Sequence, residues 1–264
     1  MVVDFSVHPE GRFQVVASAV GVVVSAAAAP QDRGKGEPDE GGHRGMIMKD
    51  LTKGFLSQTE REKIIETVKE AEELTSGEIL PMVVSASYHY PMANVVGGGA
   101  MALPLSIALT PLTGGLFWME PQNMWVFIAL FAVLFFVFHE IVKRVRWLKR
   151  LFISKEEMEE EVKESAITHF FREGLHRTRD ETGILIFISV FEKRVWVLAD
   201  RGINSKVHGG QWEEIVHMVV KGIKEGRQAH AICQAVQKVG LVLREFFPIR
   251  SGDTNELDNL IVKE

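Results

Sequence analysis

Carboxylates, two of the three sets with an arginine beside them, stand at the ends of three apolar runs: Glu78, the run Arg179-Asp180-Glu181, and the pair Asp200-Arg201. Glu78 heads the apolar run EILPMVVS, Asp180 and Glu181 stand just before GILIF, and Asp200 follows RVWVLA. If the first two runs are parallel strands and the third returns antiparallel, the starts of the first two lie beside the end of the third. All four carboxylates then collect at one edge of a sheet. Oxygen ligands from separate loops suit a hard cation, Ca2+ or Mg2+, which can in turn hold a phosphate. Arg179 and Arg201 flank the same edge and can neutralise an oxyanion. On this reading Asp180 and Asp200 are the catalytic pair, Glu78, Asp180, Glu181 and Asp200 are the metal ligands, and Arg179 and Arg201 bind the anion. The plainer alternative is that these acids cap loops and pair with the arginines.

Other polar groups carry less. His169 and His176 are seven residues apart, nearly on one face if both lie on a single helix, and can ligate a metal in that arrangement. His208, His217 and His230 fit no ligand spacing, and Cys233, inside an apolar helical pattern, reads as core. Gly209-Gly210 leads into a helix but lacks the lysine of a phosphate loop. The segment GDTNELD has alternating acceptors but is too short for a calcium loop.

The elements that must position these residues are legible as an α/β pattern. Ser57 with Glu60 has the spacing of a capping box, and Ile64, Ile65, Val68, Ala71 and Leu74 follow at helical spacing, with Gly77 as the stop. A strand over Glu78–Ser85 comes next, and Pro81 calls for an edge or bulge position. Helical spacing resumes from Lys155 to about Arg177, then Ile184–Val190 reads as a buried strand. A turn near Glu192-Lys193 returns it through Arg194–Ala199 as a hairpin. Helices over Gln211–Lys224 and Arg227–Phe247 complete the pattern. Strand, helix, strand in this order predicts a parallel pair with a right-handed crossover, and the whole predicts a small three-layer α/β/α, Rossmann-like domain.

That crossover is interrupted. From Ile79 to Met119 there is no Asp, Glu, Lys or Arg, and after Glu120 a second uncharged stretch runs from Pro121 to Phe138. Two bilayer-length apolar segments joined by a short turn predict a transmembrane helical hairpin, about 92–117 and 122–142. The chain therefore divides into an extension over 1–47, a first domain part over 48–90, the hairpin over 91–142, a second domain part over 143–248 and a tail over 249–264. The hairpin is an insertion, so one domain is split around it.

Lys143, Arg144, Arg146, Lys149, Arg150 and Lys155 follow the second span with no acid before Glu156, which predicts that both soluble parts face the cytosol. Trp118 and Trp125 bracket the turn as one interfacial belt, with Tyr88, Tyr90 and Trp147 at the other face. Gly98, Ala102, Ser106, Thr110 and Gly114 recur every fourth residue and predict a close helix–helix face against Phe127, Phe131, Phe135 and Phe138, of the same hairpin or of a second copy. Pro104 and Pro111 call for kinks. No ionisable group sits mid-span, which argues against an ion path. A strand of this length puts the acidic edge on the order of 25 Å from the bilayer.

The chain has 264 residues and a net charge of -5, so nothing in the total points to nucleic acid. Cys233 is its one cysteine, which leaves no intramolecular disulfide and no cysteine zinc cage. Val15–Ala29 followed by Pro30 is similar to a signal-peptide core and cleavage site, although Asp4 and Glu10 oppose Arg12 ahead of it. Pro30–Gly45 reads as a disordered linker. A start at Met46 or Met48, where the globular pattern begins, is the alternative to a signal peptide.

The pieces FLSQTEREKI, TSGEILP, FFREGLHRTRDETGILIFISVFEKRVWVLADRGI, the helix around Trp212 and FFPIRSGDTNEL together resemble the TPM domain family in its membrane-inserted bacterial form. They span most of Phe55–Leu257, and the long central run is the specific part. The resemblance implies an α/β/α sandwich in a multi-pass inner-membrane protein. Its plant thylakoid-lumen relatives imply acid phosphatase activity and a role in photosystem II repair, and Asp180 falls where those relatives have an acidic residue. Those relatives carry a glycine-rich loop after the third strand, where this chain reads ADRGI. Two functions follow as expectations. The first is a cytosol-facing factor that binds or maintains other membrane proteins, with the lipid bilayer, membrane proteins or a second copy as partners. The second is a phosphatase dependent on Ca2+ or Mg2+.

Overall fold

The computed structural model describes residues 46–116, 123–178, 181–207, 209–249 and 258–263. In chain order the elements are α1 (Met46–Phe55), α2 (Gln58–Glu72), β1 (Glu78–Val84), α3 (Pro91–Leu116), α4 (Met124–Arg144), α5 (Arg146–Leu151), α6 (Lys155–Arg172), β2 (Gly183–Ser189), β3 (Arg194–Ala199), α7 (Arg201–Asn204), α8 (Gly209–Lys224), α9 (Gln228–Phe246) and β4 (Ile261–Lys263). They form two compact units, one made of the residues up to Ser87 and from Glu159 onward, the other of Tyr88–Met158. The signal-like segment, the linker, Trp118, Glu120, Arg179, Asp180, His208 and most of GDTNELD lie outside the described residues.

In the first unit the local signals act as their chemistry requires. Ser57 Oγ accepts from the Glu60 N–H at 3.4 Å while Glu60 Oε2 accepts from the Ser57 N–H at 2.8 Å, so the capping box closes in both directions and starts α2. The sheet order is β3-β2-β1-β4. β1 and β2 are parallel, with Glu78 opposite Gly183 and Val84 opposite Ser189, and β3 returns antiparallel with Ala199 opposite Ile184. Both central strands are buried at every residue, which explains why they read as continuous apolar runs rather than as alternation.

The side chains still sort by face. Ile79, Val83, Ile184, Ile186 and Ile188 pack with α2, α8 and α9, while Leu80, Met82, Leu185 and Phe187 pack with Val162, Ala166 and Phe170 of α6. Helices on both faces of one sheet make the three-layer α/β fold. Thr75 ties the exit of α2 to the end of α9, its Oγ1 donating to the Phe247 carbonyl at 2.7 Å.

β4 was not legible in the sequence. It pairs in parallel with β1 only from Met82 onward, so β1 has a strand on one side alone at Pro81. The Ile79 N–H donates to Glu72 Oε1 and the Ser85 N–H to the Lys263 carbonyl, so alternate N–H groups of β1 point toward that outer side. Pro81 shares their register, and its missing N–H therefore costs no sheet bond.

The expected helix to about Arg177 is shorter than its spacing suggested. α6 ends at Arg172, Gly174 adopts φ +84°, and a separate 3-10 turn covers Leu175–Arg177. A glycine in the left-handed region is a helix stop that an apolar pattern does not reveal.

In the second unit α3 runs unbroken through Pro104 and Pro111 and packs on α4. Gly98, Ala102, Ser106 and Thr110 are all buried. A Cβ on Gly98 would stand 3.2 Å from the His139 nitrogen, which shows how closely the backbones approach. Along α4, Phe127, Phe131, Phe135 and His139 form a ladder of rings about 6 Å apart, so the fourth rung is His139 rather than Phe138. The stretches Pro91–Thr113 and Met124–Arg144 are long and apolar enough to cross a membrane, and only 28% and 6% of their most apolar windows are buried. Leu112, Val133 and Phe136 are among the side chains they expose.

Candidate functional site: the acidic sheet end

The strand register brings three of the expected loops to one end of the sheet. The Glu78 N–H donates to the Thr182 carbonyl at 3.2 Å, the Asp200 N–H to the Gly183 carbonyl at 2.9 Å, and the Gly202 N–H to the Glu181 carbonyl at 3.1 Å. Gly183 sits between Glu78 and Asp200 in the row, and a Cβ there would fall 2.5 Å from the Leu175 carbonyl oxygen, so the position takes glycine. At strand spacing the Cα atoms of Glu78 and Asp200 are then about 10 Å apart.

The carboxylates do not form one cluster. Asp200 and Glu181 make the first group, with His176 nearby. Asp200 Oδ1 caps α7 by accepting from the Arg201 N–H at 2.7 Å, while Oδ2 is buried with no hydrogen-bond partner among the described residues. Burial raises the Asp200 pKa, and the negative charge of Glu181 raises it further. The Arg201 N–H and the neighbouring His176 oppose that rise. Glu181 itself is exposed and holds φ +55°. The His176 ring packs on Phe171 with centroids 5.0 Å apart, and among the described residues its Nδ1 is buried without a partner. Arg201 belongs to α7 and is exposed.

Glu78 belongs to a second group on the outer side of β1. It is 8% exposed and raises the pKa of Glu72 through like charge. Glu72 stands at the end of α2 and fills the gap left by the short β4. One oxygen accepts from the Ile79 N–H at 2.9 Å, the other from Asn259 Nδ2 at 2.8 Å. Burial is the main reason its pKa is pushed up to about 8. Glu72 was missed in the sequence because a glutamate ending a polar helix reads as a solvated face.

Among the described residues no group of three or more His, Cys, Asp or Glu side chains can hold a metal ion. Glu181 and Asp200 supply two carboxylates, short of the oxygen set that Ca2+ or Mg2+ takes from protein. Asp180 and Arg179, the remaining expected members, lie outside the described residues. The expected His169–His176 pair is not a ligand pair either. Gly174 puts the two on different elements, and His169 stacks on Phe187 beside Glu173 and Lys263.

A mixed four-strand sheet with helices on both faces and carboxylates at its end defines the class: a three-layer α/β domain whose first strand and α6 are separated by two long apolar helices. The family model of the TPM domain matches residues 148–242. The match starts after the apolar helices, although the sheet also uses β1 from before them. Among solved structures, the NMR structure of the BA42 protein from the psychrophilic bacterium Bizionia argentinensis is similar at 19% identity. That likeness covers 80% of this chain and 96% of the other, with a TM-score of 0.48. No curated protein matches the chain.

Proposed function

We propose that this is an inner-membrane protein of bacterial type that anchors a TPM domain through a two-helix hairpin and presents it to the cytosol, where it binds or maintains other membrane proteins. The observation that carries the anchoring is the outer surface of α3 and α4. The helices bury their small-residue stripe against each other and leave Leu103, Ile107, Leu112, Val133, Phe136 and Val137 exposed. A helix that is apolar all round finds its solvent in lipid. The cations from Lys143 to Arg150 favour the cytosolic side for the residues that follow.

Binding leads over catalysis because, among the described residues, the two carboxylates and one imidazole at this sheet end fall short of a two-cation or single-cation phosphate site. One observation favours the second reading, a divalent-metal phosphatase: Asp200 Oδ2 is buried and has no hydrogen-bond partner among the described residues, and such a group often marks a site. The test is hydrolysis of a phosphate ester by the detergent-solubilised protein with and without Mg2+ or Ca2+, against Asp180→Ala and Asp200→Ala. Absence of turnover is the expected result. Metal-dependent turnover lost in both variants would replace the binding reading with the phosphatase. A C-terminal reporter active only outside the cytosol would overturn the sidedness.

A further inference from the structure

In α5 the usual arrangement of a short surface helix is inverted. Lys149 is 7% exposed and its Nζ donates to the His89 carbonyl, while Trp147 and Leu151 are each 69% exposed. The chain turns at Val145, whose φ of -97° and ψ of 97° separate α5 from α4. At about 100° per residue, Trp147 and Leu151 fall about 40° apart on one face, Arg150 and then Arg146 border them on one side, and Lys149 points the other way. Phe152 closes the inner side, since a Cβ on Gly97 would meet its ring at 2.7 Å. A packed inner face holds the helix still, so the exposed Trp and Leu are a fixed surface and not a frayed end.

We infer that α5 is an interfacial helix that seats Trp147 and Leu151 in the headgroup layer of an anionic bilayer, with Arg146 beside the lipid phosphates. The occupant follows from two properties of the same face. Its apolar part is a tryptophan with an aliphatic neighbour, the pair that favours the boundary between headgroups and acyl chains. Its charge is positive, because Arg146 and Arg150 border it and Lys143 and Arg144 precede it, with Glu140 the one acid between His139 and Lys155, and such clusters draw acidic phospholipids. The inference rests on the hairpin being a membrane anchor, and it adds a second contact with the bilayer just beyond the second span.

The experiment uses the full chain in liposomes containing lipids brominated near the headgroup, with tryptophan emission as the readout. Trp196 and Trp212 are buried in the domain while Trp125 and Trp147 are exposed, so among the described tryptophans the last two are the ones that lipid can reach. The conservative Trp147→Phe variant should lose about one third of the lipid-quenched emission if Trp118, expected from the sequence at the same belt as Trp125, is quenched as well. In vesicles of phosphatidylcholine with phosphatidylglycerol, Trp147-dependent quenching should exceed that in phosphatidylcholine alone, and Arg146→Gln should remove the excess. Unchanged quenching in Trp147→Phe, or equal quenching in neutral and anionic vesicles, overturns the inference. Release of the chain from the vesicles by alkaline carbonate would instead overturn the anchor itself, so the two failures are told apart.

Discussion

Replacing Glu72 by Gln should raise the stability of the domain in mildly alkaline solution and flatten its dependence on pH. The Glu72 carboxyl moves from an ordinary 4.5 to about 8, chiefly by burial, with the charge of Glu78 adding to the rise and the Ile79 N–H and Asn259 working against it. Between those values the folded chain holds a proton on Glu72 that the unfolded chain has released. Stability therefore falls as pH rises through this window. The contribution is whole below the unfolded value and gone once pH passes about 8. A span of about 3.5 pH at about 1.4 kcal/mol each sets a ceiling of about 5 kcal/mol, and water reaching a carboxyl at the sheet edge brings the expected effect to about 2–3 kcal/mol. Gln keeps an oxygen for the Ile79 N–H, and its amide can meet Asn259 after that side chain turns over, so the variant removes the charge without stranding a buried donor. The assay is urea unfolding of the full chain in one detergent at pH 6, 7, 8 and 9, followed by the emission of Trp196 and Trp212. The wild-type midpoint should fall with pH, the variant's should fall less, and the gap should widen up to about pH 8 and then level off. A wild-type midpoint that holds or rises from pH 6 to 8, or a variant that falls in parallel, would refute the reasoning.

Two further substitutions probe close approaches. Gly183→Ala should cost about 2–3 kcal/mol in the same unfolding assay, because its Cβ would lie 2.5 Å from a backbone oxygen that cannot swing away. Gly54→Ala, with nothing within 4 Å, is its control and should be neutral or slightly stabilising. In the hairpin, Gly98→Val should weaken helix pairing by about 1–2 kcal/mol, since the nearest atoms are the His139 backbone. Unfolding in mixed micelles at rising dodecyl sulfate fraction reads this out, and an unchanged midpoint would mean that the two helices do not need that approach.

How much of this was legible depended on whether a signal was local. The capping box at Ser57, the continuous apolar strands and the hairpin turn at Lys193, which holds φ +54°, are each specified within a few residues and read correctly. The meeting of Glu78, Glu181 and Asp200 at one sheet end was also legible, because parallel and antiparallel pairing decide which strand ends are neighbours. Depth was not. Glu78 is buried and Glu181 exposed although both simply precede a strand. α5 was lost inside a longer basic run because Val145 breaks the helix without a glycine or proline to announce it.

β4 and Glu72 were illegible for a common reason. A strand as short as Ile261–Lys263 has too few residues to display a period, and without it nothing distinguishes Glu72 from the other acids of α2. Once β4 is in place, the unfilled length of β1 beside Ile79 and Pro81 becomes the controlling feature. One position there lacks an N–H, and the other needs an acceptor that no strand supplies. A carboxyl from α2 fills that need, and Asn259 at the approach to β4 binds the same carboxyl. The high pKa of Glu72 is thus a consequence of a sheet edge left short, and it ties the ionisation of one side chain to the seating of the last strand.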